Sequence, residues 1–333
     1  MTGSRITESQ ILRSSLSLIQ GARERVNKYS LETSSGVKVA RPGDDASNAS
    51  TISDLNEALR RFDQHKNRIE SAKSVLSMQD SNLGQVNNLL IRAKELATQG
   101  ANETLGVEGR RQLSIEVFQL RDSLVALANT TYQGKYIYSG GVDNVPPYQP
   151  DTVGYTNFSS TSASQRYTYL TTDGADIVKS VNISDNTAVT INTPGNQVFD
   201  SSIQALETLG RALEGYSTTT TGGAPDGGGV AYIFPSEFST QTQAILDSIS
   251  LLDNASKNDI STERVNVAGK LSRTDNAAQL IDALATNFRD VLSKTQGADV
   301  FDSVSNLSNA QNALQASLSA SGALLKSSLL DYL

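Results

Sequence analysis

The sequence predicts a mainly α-helical protein with a β-rich insert, in which both chain ends contribute to a long coiled-coil rod. An apolar residue recurs at every seventh position from Leu55 to Ala97, which is the spacing of a coiled-coil seam. Proline and glycine are concentrated between residues 140 and 240. Both flanks of that region carry apolar residues at alternating spacings of three and four, as amphipathic helices do.

The heptad segment predicts one helix of unusual length, from near Asp45 to near Gln99. At about 1.5 Å per residue, such a helix is roughly 80 Å long. Asp44 and Asp45 come directly before it, where a carboxylate caps the first turn and interacts favourably with the helix dipole. The predicted rod seam consists of Leu55, Phe62, Ile69, Leu76, Leu83 and Leu90.

Further helices are predicted on both sides of the insert. Residues 6–33 form one, and a third helix follows Gly106 with a stripe of apolar residues. The helical pattern resumes near Ser239 and continues to the chain end, with an interruption at Gly297. The stripe of the third helix is Leu113, Val117, Leu120, Leu124 and Leu127.

The central insert shows the alternation of β-strands. Apolar residues alternate around Tyr167 and Tyr169, and again over 181–183 and 189–191, with turn residues between them. A short helix is predicted over 201–214, with Ile203, Leu206, Leu209 and Leu213 on one side. Residues 217–229 are predicted to form a surface loop.

These patterns predict three domains, two of which combine segments from both halves of the chain. Residues 1–44 with 297–333 are the terminal helices, ordered on assembly. Residues 45–140 with 236–296 are the helical rod. Residues 141–235 are the outer, β-rich insert.

Composition excludes several classes of function. The net charge is −7 and its acidic excess lies in the insert, so no basic face is offered to a nucleic acid. The chain has no cysteine, which excludes thiolate metal sites and a thiol nucleophile. No apolar run is long enough to cross a membrane or to form the core of a signal peptide. We expect a soluble protein that, if exported, uses no cleavable leader.

The motifs that could carry chemistry have simpler structural interpretations. His65 is the only histidine and is expected at the edge of the rod seam or in solvent. Asp173–Asp176 lacks the acidic spacing of a calcium-binding loop and is expected to be a turn. Gly227–Gly229 lacks the lysine and hydroxyl residue of a phosphate-binding loop. No catalytic, cofactor-binding or metal-binding residue is predicted, and the protein is not expected to be an enzyme.

The stripes at the chain ends are too narrow to form a core alone. Burying a few apolar side chains offsets only part of the entropy lost when two long termini become ordered. We therefore expect both ends to be disordered or weakly helical in the free monomer and to fold when neighbouring copies cover them. The predicted assembly residues are Leu12, Leu16, Ile19, Val26, Val300, Val304, Leu307, Leu314, Leu318 and Leu325.

Short motifs near both chain ends form a recognisable set. They are Arg5–Gln10, Ser34–Gly36, Asp44–Ala46, Leu127–Thr130, Gly134–Gly140, Gly297–Asp299, Asn312–Ser317 and Ser328–Leu333. These segments resemble the flagellin family, and among its members the hook-associated proteins more than filament flagellin. The resemblance covers about residues 1–140 and 235–333. It departs from the family pattern at Gly297, where an acidic residue is usual, and in the longer start Met1–Ser4.

The resemblance implies an extracellular structural protein of the bacterial flagellum that joins hook to filament by helical self-assembly. It implies export through the flagellar type III apparatus, terminal helices that form an inner tube, and no cofactor. The implied partners are other copies of the chain, the other hook–filament junction protein, flagellin and an export chaperone on the C-terminal helix. Neither nucleic acid nor membrane is an expected partner.

Two alternatives stay open. The chain could be a minor flagellin of the filament itself. It could also be a secreted enzyme that uses carboxylates of the acidic insert, although the sequence contains no nucleophile elbow, metal cluster or nucleotide-binding loop.

Overall fold

The computed structural model describes residues 8–330, except for residues 40, 42, 151–166, 171 and 217–231. Over this part the protein is mostly helical, with small antiparallel strand pairs in the middle of the chain. This confirms the mainly helical class with a β-containing insert. The chain divides into two compact units, residues 1–63 with 282–333 and residues 64–281.

The first unit contains helix α1 (Glu8–Ser35), the start of α2 (Ala46–Gly100), the end of α6 (Ser261–Gln296) and α7 (Val300–Leu330). The bounds of α2 confirm the long helix predicted from the heptads. Asp45 caps it as predicted, because its Oδ1 accepts from the backbone N–H groups of Ser47 at 3.0 Å and Asn48 at 3.1 Å. Hydrogen bonds from Asn48 hold the pKa of Asp45 below its usual value.

Two glycines shape the break after α1 and the break before α7. Gly36 has a φ of 69°, a left-handed conformation that favours glycine. Gly297 follows α6 so closely that a Cβ atom there would lie 2.4 Å from the carbonyl oxygen of Ser293. The N–H of Ala298 donates to the carbonyl of Gly36 at 2.9 Å. The interruption predicted at Gly297 is confirmed. The hydrogen bond from Ala298 to Gly36 links this break to the one after α1.

The second unit is built on α2, which runs antiparallel to α5 (Phe238–Asn254), a π-helical turn (Ala255–Ile260) and α6. Ion pairs hold the helices in register. They link Lys94 to Asp253 at 2.8 Å, Asp80 to Arg264 at 3.1 Å and Lys73 to Asp275 at 2.7 Å.

Two shorter helices complete the helical layer of the second unit. Helix α3 (Val107–Ala128) packs against α4 (Asn196–Glu214), and α4 packs against α5. Helix α4 begins five residues earlier than predicted, and its four predicted core residues are buried. The buried residues of α3 form one broad face, and the predicted stripe covers only its edge, because it missed Phe118 and Val125.

The strands form three separate antiparallel pairs. They are β1 (Thr131–Tyr132) with β2 (Lys135–Tyr136), β3 (Tyr148–Pro150) with β4 (Tyr167–Tyr169), and β5 (Ser180–Ser184) with β6 (Thr187–Thr190). In the β5–β6 hairpin Val181 pairs with Val189, as the alternation predicted. Asp173–Asp176 forms a turn, as expected. The predicted loop at 217–229, with Gly227–Gly229, lies outside the described residues.

The described part of the insert lies in the same compact unit as the middle of the rod helix. The β5–β6 hairpin lies against α2 inside the second unit, where the side chain of Gln79 donates to the carbonyl of Ile191 at 3.0 Å. Polar contacts of this kind tie the insert to the middle of the rod helix. The three-domain division therefore stays a prediction.

Candidate assembly surface

Helices α1 and α7 form an antiparallel pair. In both helices the residues withdrawn from solvent recur at alternating spacings of four and three, as in a two-stranded coiled coil. We refer to them as the terminal seam. The terminal seam comprises Ser15, Ile19, Ala22, Val26 and Tyr29 on α1 and Ser303, Leu307, Ala310, Leu314 and Ser317 on α7, and Gly21, Glu32, Thr33 and Ser321 are also withdrawn from solvent.

The structure separates the predicted assembly residues into two groups. Ile19, Val26, Leu307 and Leu314 are half-buried in the terminal seam. The other described residues point outward: Leu16 is 52% exposed, Val300 59%, Val304 49% and Leu318 52%. The side chains of Leu12 and Leu325 lie outside the described residues.

Sequence reasoning missed further exposed apolar residues on the same helices. Leu18 is 65% exposed, Leu31 is 51% exposed, and Phe301 is 90% exposed in the first turn of α7. None of the three fits the spacing of a single stripe. The heptad register of the α1–α7 pair could have identified these three residues, because it places them outside the terminal seam.

The terminal seam is a thin interface. Ala22 and Ala310 are buried but small, and Ser303 and Ser317 contribute little apolar surface. The larger seam residues keep part of their surface in water. Because hydrophobic stabilisation scales with the apolar area removed from water, this pair stabilises itself only weakly.

The surface of α7 is unusual in its lack of charge. The chain has no Asp, Glu, Lys or Arg between residues 303 and 323, although the side chains there are mostly exposed. A surface helix of a globular protein usually carries charged residues on its outer face. Helix α1, in contrast, exposes Arg13, Arg23, Glu24 and Lys28.

The predicted rod seam is buried over most of its length. Ile69, Leu76, Leu83 and Leu90 have no exposed surface, and Leu55 and Phe62 are half-buried. In the first unit Phe62 meets Phe288 edge to face at 5.2 Å between ring centroids. The prediction missed the companion positions three residues further on, because they are mostly small or polar. These buried residues are Ala58, His65, Ala72, Gln79, Val86 and Ala93.

His65 occupies one of these companion positions. It is 9% exposed, so it lies in the seam and not in solvent. Its Nε2 is 3.1 Å from Oδ1 of Asp185 in the turn of the β5–β6 hairpin. With Gln79, it gives the rod helix a second polar contact to the insert.

Among the described residues, three arginines are buried, which the sequence analysis did not predict. Arg110 is fully buried and donates to Gln241 and Thr242, each at 2.7 Å. Arg121 lies over the rings of Phe118 and Tyr167. Burial, together with the charge of Arg121, lowers the pKa of Arg211 to about 10. These groups join α3 to its neighbours and lie inside the fold.

Within the described residues, no three His, Asp or Glu side chains come close enough together to hold a metal ion. In the same part of the chain, no helix is both long enough and apolar enough to cross a membrane. What the terminal helices offer is a continuous, partly apolar surface, which is suited to protein contacts.

Comparison with known proteins agrees with this arrangement. Residues 6–143 match the family model of the bacterial flagellin N-terminal helical region. Flagellar hook-associated protein 3 of Escherichia coli is 28% identical over 175 residues, 52% of this chain and 50% of that protein. The protein of the same name from Salmonella typhimurium is 29% identical over 152 residues, 45% of this chain and 48% of that one. The chain thus spans about half the length of these relatives.

Solved structures share the fold. FlgL of Bacillus cereus superposes with a TM-score of 0.53 at 17% identity, and covers 72% of this chain and 99% of its own. FlgL of Xanthomonas campestris gives the same TM-score at 16% identity, with 73% and 99% covered. The matched helical region and the named relatives lead to one conclusion: over the parts that match, the chain is similar to flagellins and flagellar hook-associated proteins.

Proposed function

We propose that this protein is a structural adaptor of the bacterial flagellum that joins the hook to the flagellin filament by self-assembly, without catalysing a reaction. Two relatives that are 28% and 29% identical over about half of this chain are named flagellar hook-associated protein 3. The observation that carries the proposal is the pair α1–α7, with a thin seam, outward-facing leucines and no charged residue on α7 from residue 303 to residue 323. Such a pair gains stability when further helices cover it.

The proposal extends to the rod and the insert. We infer that α2 and α6 form a coiled-coil rod around the terminal helices and that the acidic insert faces outward. The partners would be other copies of the chain, the other hook–filament junction protein and flagellin, with an export chaperone on the C-terminal helix. The protein would act outside the cell after export without a cleavable leader.

Deletion of residues 300–333 tests the proposal. The shortened chain keeps the second unit whole, so we expect a soluble protein with native-like circular dichroism from that unit. It should not assemble on isolated hooks or support filament growth from them. A matched control deletes residues 219–228 in the Thr- and Gly-rich segment of the insert and should still assemble. Filament growth with the first variant would contradict the proposal.

A second candidate, a minor flagellin of the filament, is favoured by the match to the flagellin N-terminal region. The two functions differ in location. Immunogold labelling at one band between hook and filament supports the adaptor, whereas labelling along the whole filament supports the minor flagellin.

A further inference from the structure

The helix formed by α5, the π-helical turn and α6 contains one extra residue. On both sides of the turn Ala255–Ile260, which we call the π turn, buried residues recur every seven positions, but Ile260 follows Leu252 by eight. The residues that flank the π turn have helical backbone angles, so the helix is continuous. Because a π-helical turn closes its hydrogen bonds over five residues and not four, it takes up the extra residue. The buried residues are Ile245 and Leu252 before the π turn and Ile260, Val267, Thr274 and Ile281 after it.

Helix α5 carries a second apolar stripe next to the one that is buried. Counted back from Ile260 in steps of four and three residues, this second stripe continues the heptads of α6 without the extra residue. Leu246 on the second stripe is 44% exposed and Ile249 is half-buried, whereas the buried stripe includes the polar Ser248. Either stripe therefore offers apolar side chains to the core. The second stripe consists of Leu246, Ile249, Asp253 and Ser256.

Asp253 decides which stripe is buried. Its Oδ1 lies 2.8 Å from Nζ of Lys94 on α2, and its Oδ2 lies 3.8 Å from Nζ of Lys257. Burial of the second stripe would move Asp253 to the fully buried place of Leu252 and separate its carboxylate from water and from Lys94. A buried charge without a partner is costly, so the Lys94–Asp253 ion pair holds α5 in the described register.

Ser256 is common to both arrangements. It is 7% exposed in the described register and belongs to the second stripe as well. Its hydroxyl donates to Oδ1 of Asn87 on α2 at 2.8 Å. The hydroxyl of Ser261, at the start of α6, donates to the carbonyl of Ser256 at 2.7 Å. These contacts fix the helix at the π turn, so that a change of register there is confined to α5.

We propose that the π turn is a register joint, at which α5 rotates by one residue against α2 while α6 keeps its place. In the second register the extra residue lies before Leu246, and each residue from Leu246 to Asp253 takes the place of the residue before it. The rotation is about 100°, with a shift of about 1.5 Å along the helix. Leu246 and Ile249 become buried, and Ser248 moves to the exposed place of Asp247.

The second unit thus changes one of its surfaces and keeps its fold. Shifts of a packed helix between two discrete arrangements are a known class of conformational switch, and helix register shifts take microseconds to milliseconds. The Lys94–Asp253 ion pair is the latch of this switch. The inference concerns the free chain and does not depend on the proposed function.

Thiol labelling of the full chain reports the register, because the chain has no native cysteine. Ser248→Cys places a thiol at a position with no exposed surface and should react slowly with a soluble maleimide. Adding Asp253→Leu removes the charge that opposes the second register, and we expect the thiol to react at least tenfold faster. The matched control Asp247→Leu makes the same change at an exposed position on neither stripe and should alter the rate less than twofold.

A second thiol separates a change of register from local unfolding. Ser202 lies on α4, which packs against α5, and it has no exposed surface. The thiol of Ser202→Cys should react equally slowly with and without Asp253→Leu. An unchanged rate at Ser248→Cys, or equal acceleration at both thiols, overturns the register joint.

Removal of the extra residue gives an independent test. Deletion of the exposed Asn258 from the π turn brings the buried residues on both sides into one heptad repeat, so we expect a Tm no lower than that of the unmodified chain. In this background Asp253→Leu should no longer accelerate labelling of Ser248→Cys. The matched deletion of Ser272, exposed on α6, breaks the heptads and should lower the Tm. Equal loss of Tm in the two deletions, or fast labelling that persists without Asn258, overturns the proposal.

Discussion

At the scale of single residues, Arg110 joins helix α3 to helix α5. Its guanidinium donates to the side chains of Gln241 and Thr242 and lies 3.8 Å from the ring centroid of Phe238. Gln241 in turn donates to the carbonyl of Ala212 at 2.8 Å. One arginine therefore organises the junction of three helices.

We predict that Arg110→Met lowers the free energy of unfolding of the second unit by about 2–3 kcal/mol, because it leaves buried acceptors without a charged donor. The matched control is Arg111→Met, at the exposed neighbouring position, where surface substitutions usually stay within about 0.5 kcal/mol. Urea unfolding of both variants measures the difference. Equal stability of the two variants would contradict a structural role for Arg110.

Asp143 is a carboxylate held in its ionised form by two lysines. Lysines 179 and 135 each place Nζ 3.0 Å from its Oδ2, and their hydrogen bonds, that of Lys179 first, lower the pKa of Asp143 to about 2. The unfolded value is near 3.9. A lowered folded pKa means that the ionised carboxylate stabilises the fold above about pH 4, and that this contribution is lost as pH falls from about 4 to about 2.

We therefore predict that Asp143→Asn has a lower Tm than the unmodified chain at pH 7, and that the difference shrinks as pH falls from 4 to 2. Asp173→Asn, at an exposed turn position, serves as the control and should follow the unmodified chain throughout. Thermal melts at several pH values measure both. A pH-independent difference for Asp143→Asn would show that its charge is not the cause.

At the scale of elements, polar residues in the rod helix hold the β5–β6 hairpin. Gln79 occupies a buried companion position of the seam and is 1% exposed, and its side chain donates a hydrogen bond to the carbonyl of Ile191 in the insert. An apolar residue at this position would leave the carbonyl of Ile191 without its donor.

We predict that Gln79→Met makes the amide protons of residues 180–191 exchange roughly five- to tenfold faster, because one net hydrogen bond contributes about 1 kcal/mol. Gln85→Met, at an exposed position of the same helix, is the control and should leave these amides unchanged. Native-state hydrogen exchange measures both variants. Unchanged protection in Gln79→Met would show that other contacts hold the hairpin.

The sequence predicts those elements that a local pattern of residues determines, and it misses positions that depend on tertiary contacts. The long helix, its Asp45 cap, the break at Gly297 and the β5–β6 hairpin all follow from local patterns. The centre of the buried face of α3 does not, because Arg110 and Arg121 are charged and a sequence pattern counts them as solvent-facing. The inward position of His65 and Gln79 could not be predicted for the same reason: only the docked hairpin supplies their partners.

At the scale of the whole molecule, the predicted assembly residues show what one chain can and cannot reveal. Spacing alone placed Leu307, Leu314 and Leu318 in a single stripe. The structure assigns the first two to the terminal seam and turns Leu318 outward, because the partner helix α1 selects the buried stripe. Sequence periodicity thus identifies that a helix is amphipathic, but the heptad register emerges only when its partner is in place.

The thin terminal seam leads to a prediction for the free and assembled protein. Since Ala22, Ala310 and Ser303 bury little apolar area, the α1–α7 pair should open readily in the monomer, whereas the second unit has a continuous core with Ile69, Leu76 and Leu83 fully buried. Hydrogen exchange with mass spectrometry should show fast exchange of α1 and α7 in the free chain. It should show slow exchange of both helices after assembly on hooks, while protection around residues 69–97 stays the same in both states. Strong protection of α1 and α7 in the dilute monomer would contradict ordering by assembly, because it would mean that the terminal seam is stable before any neighbour covers it.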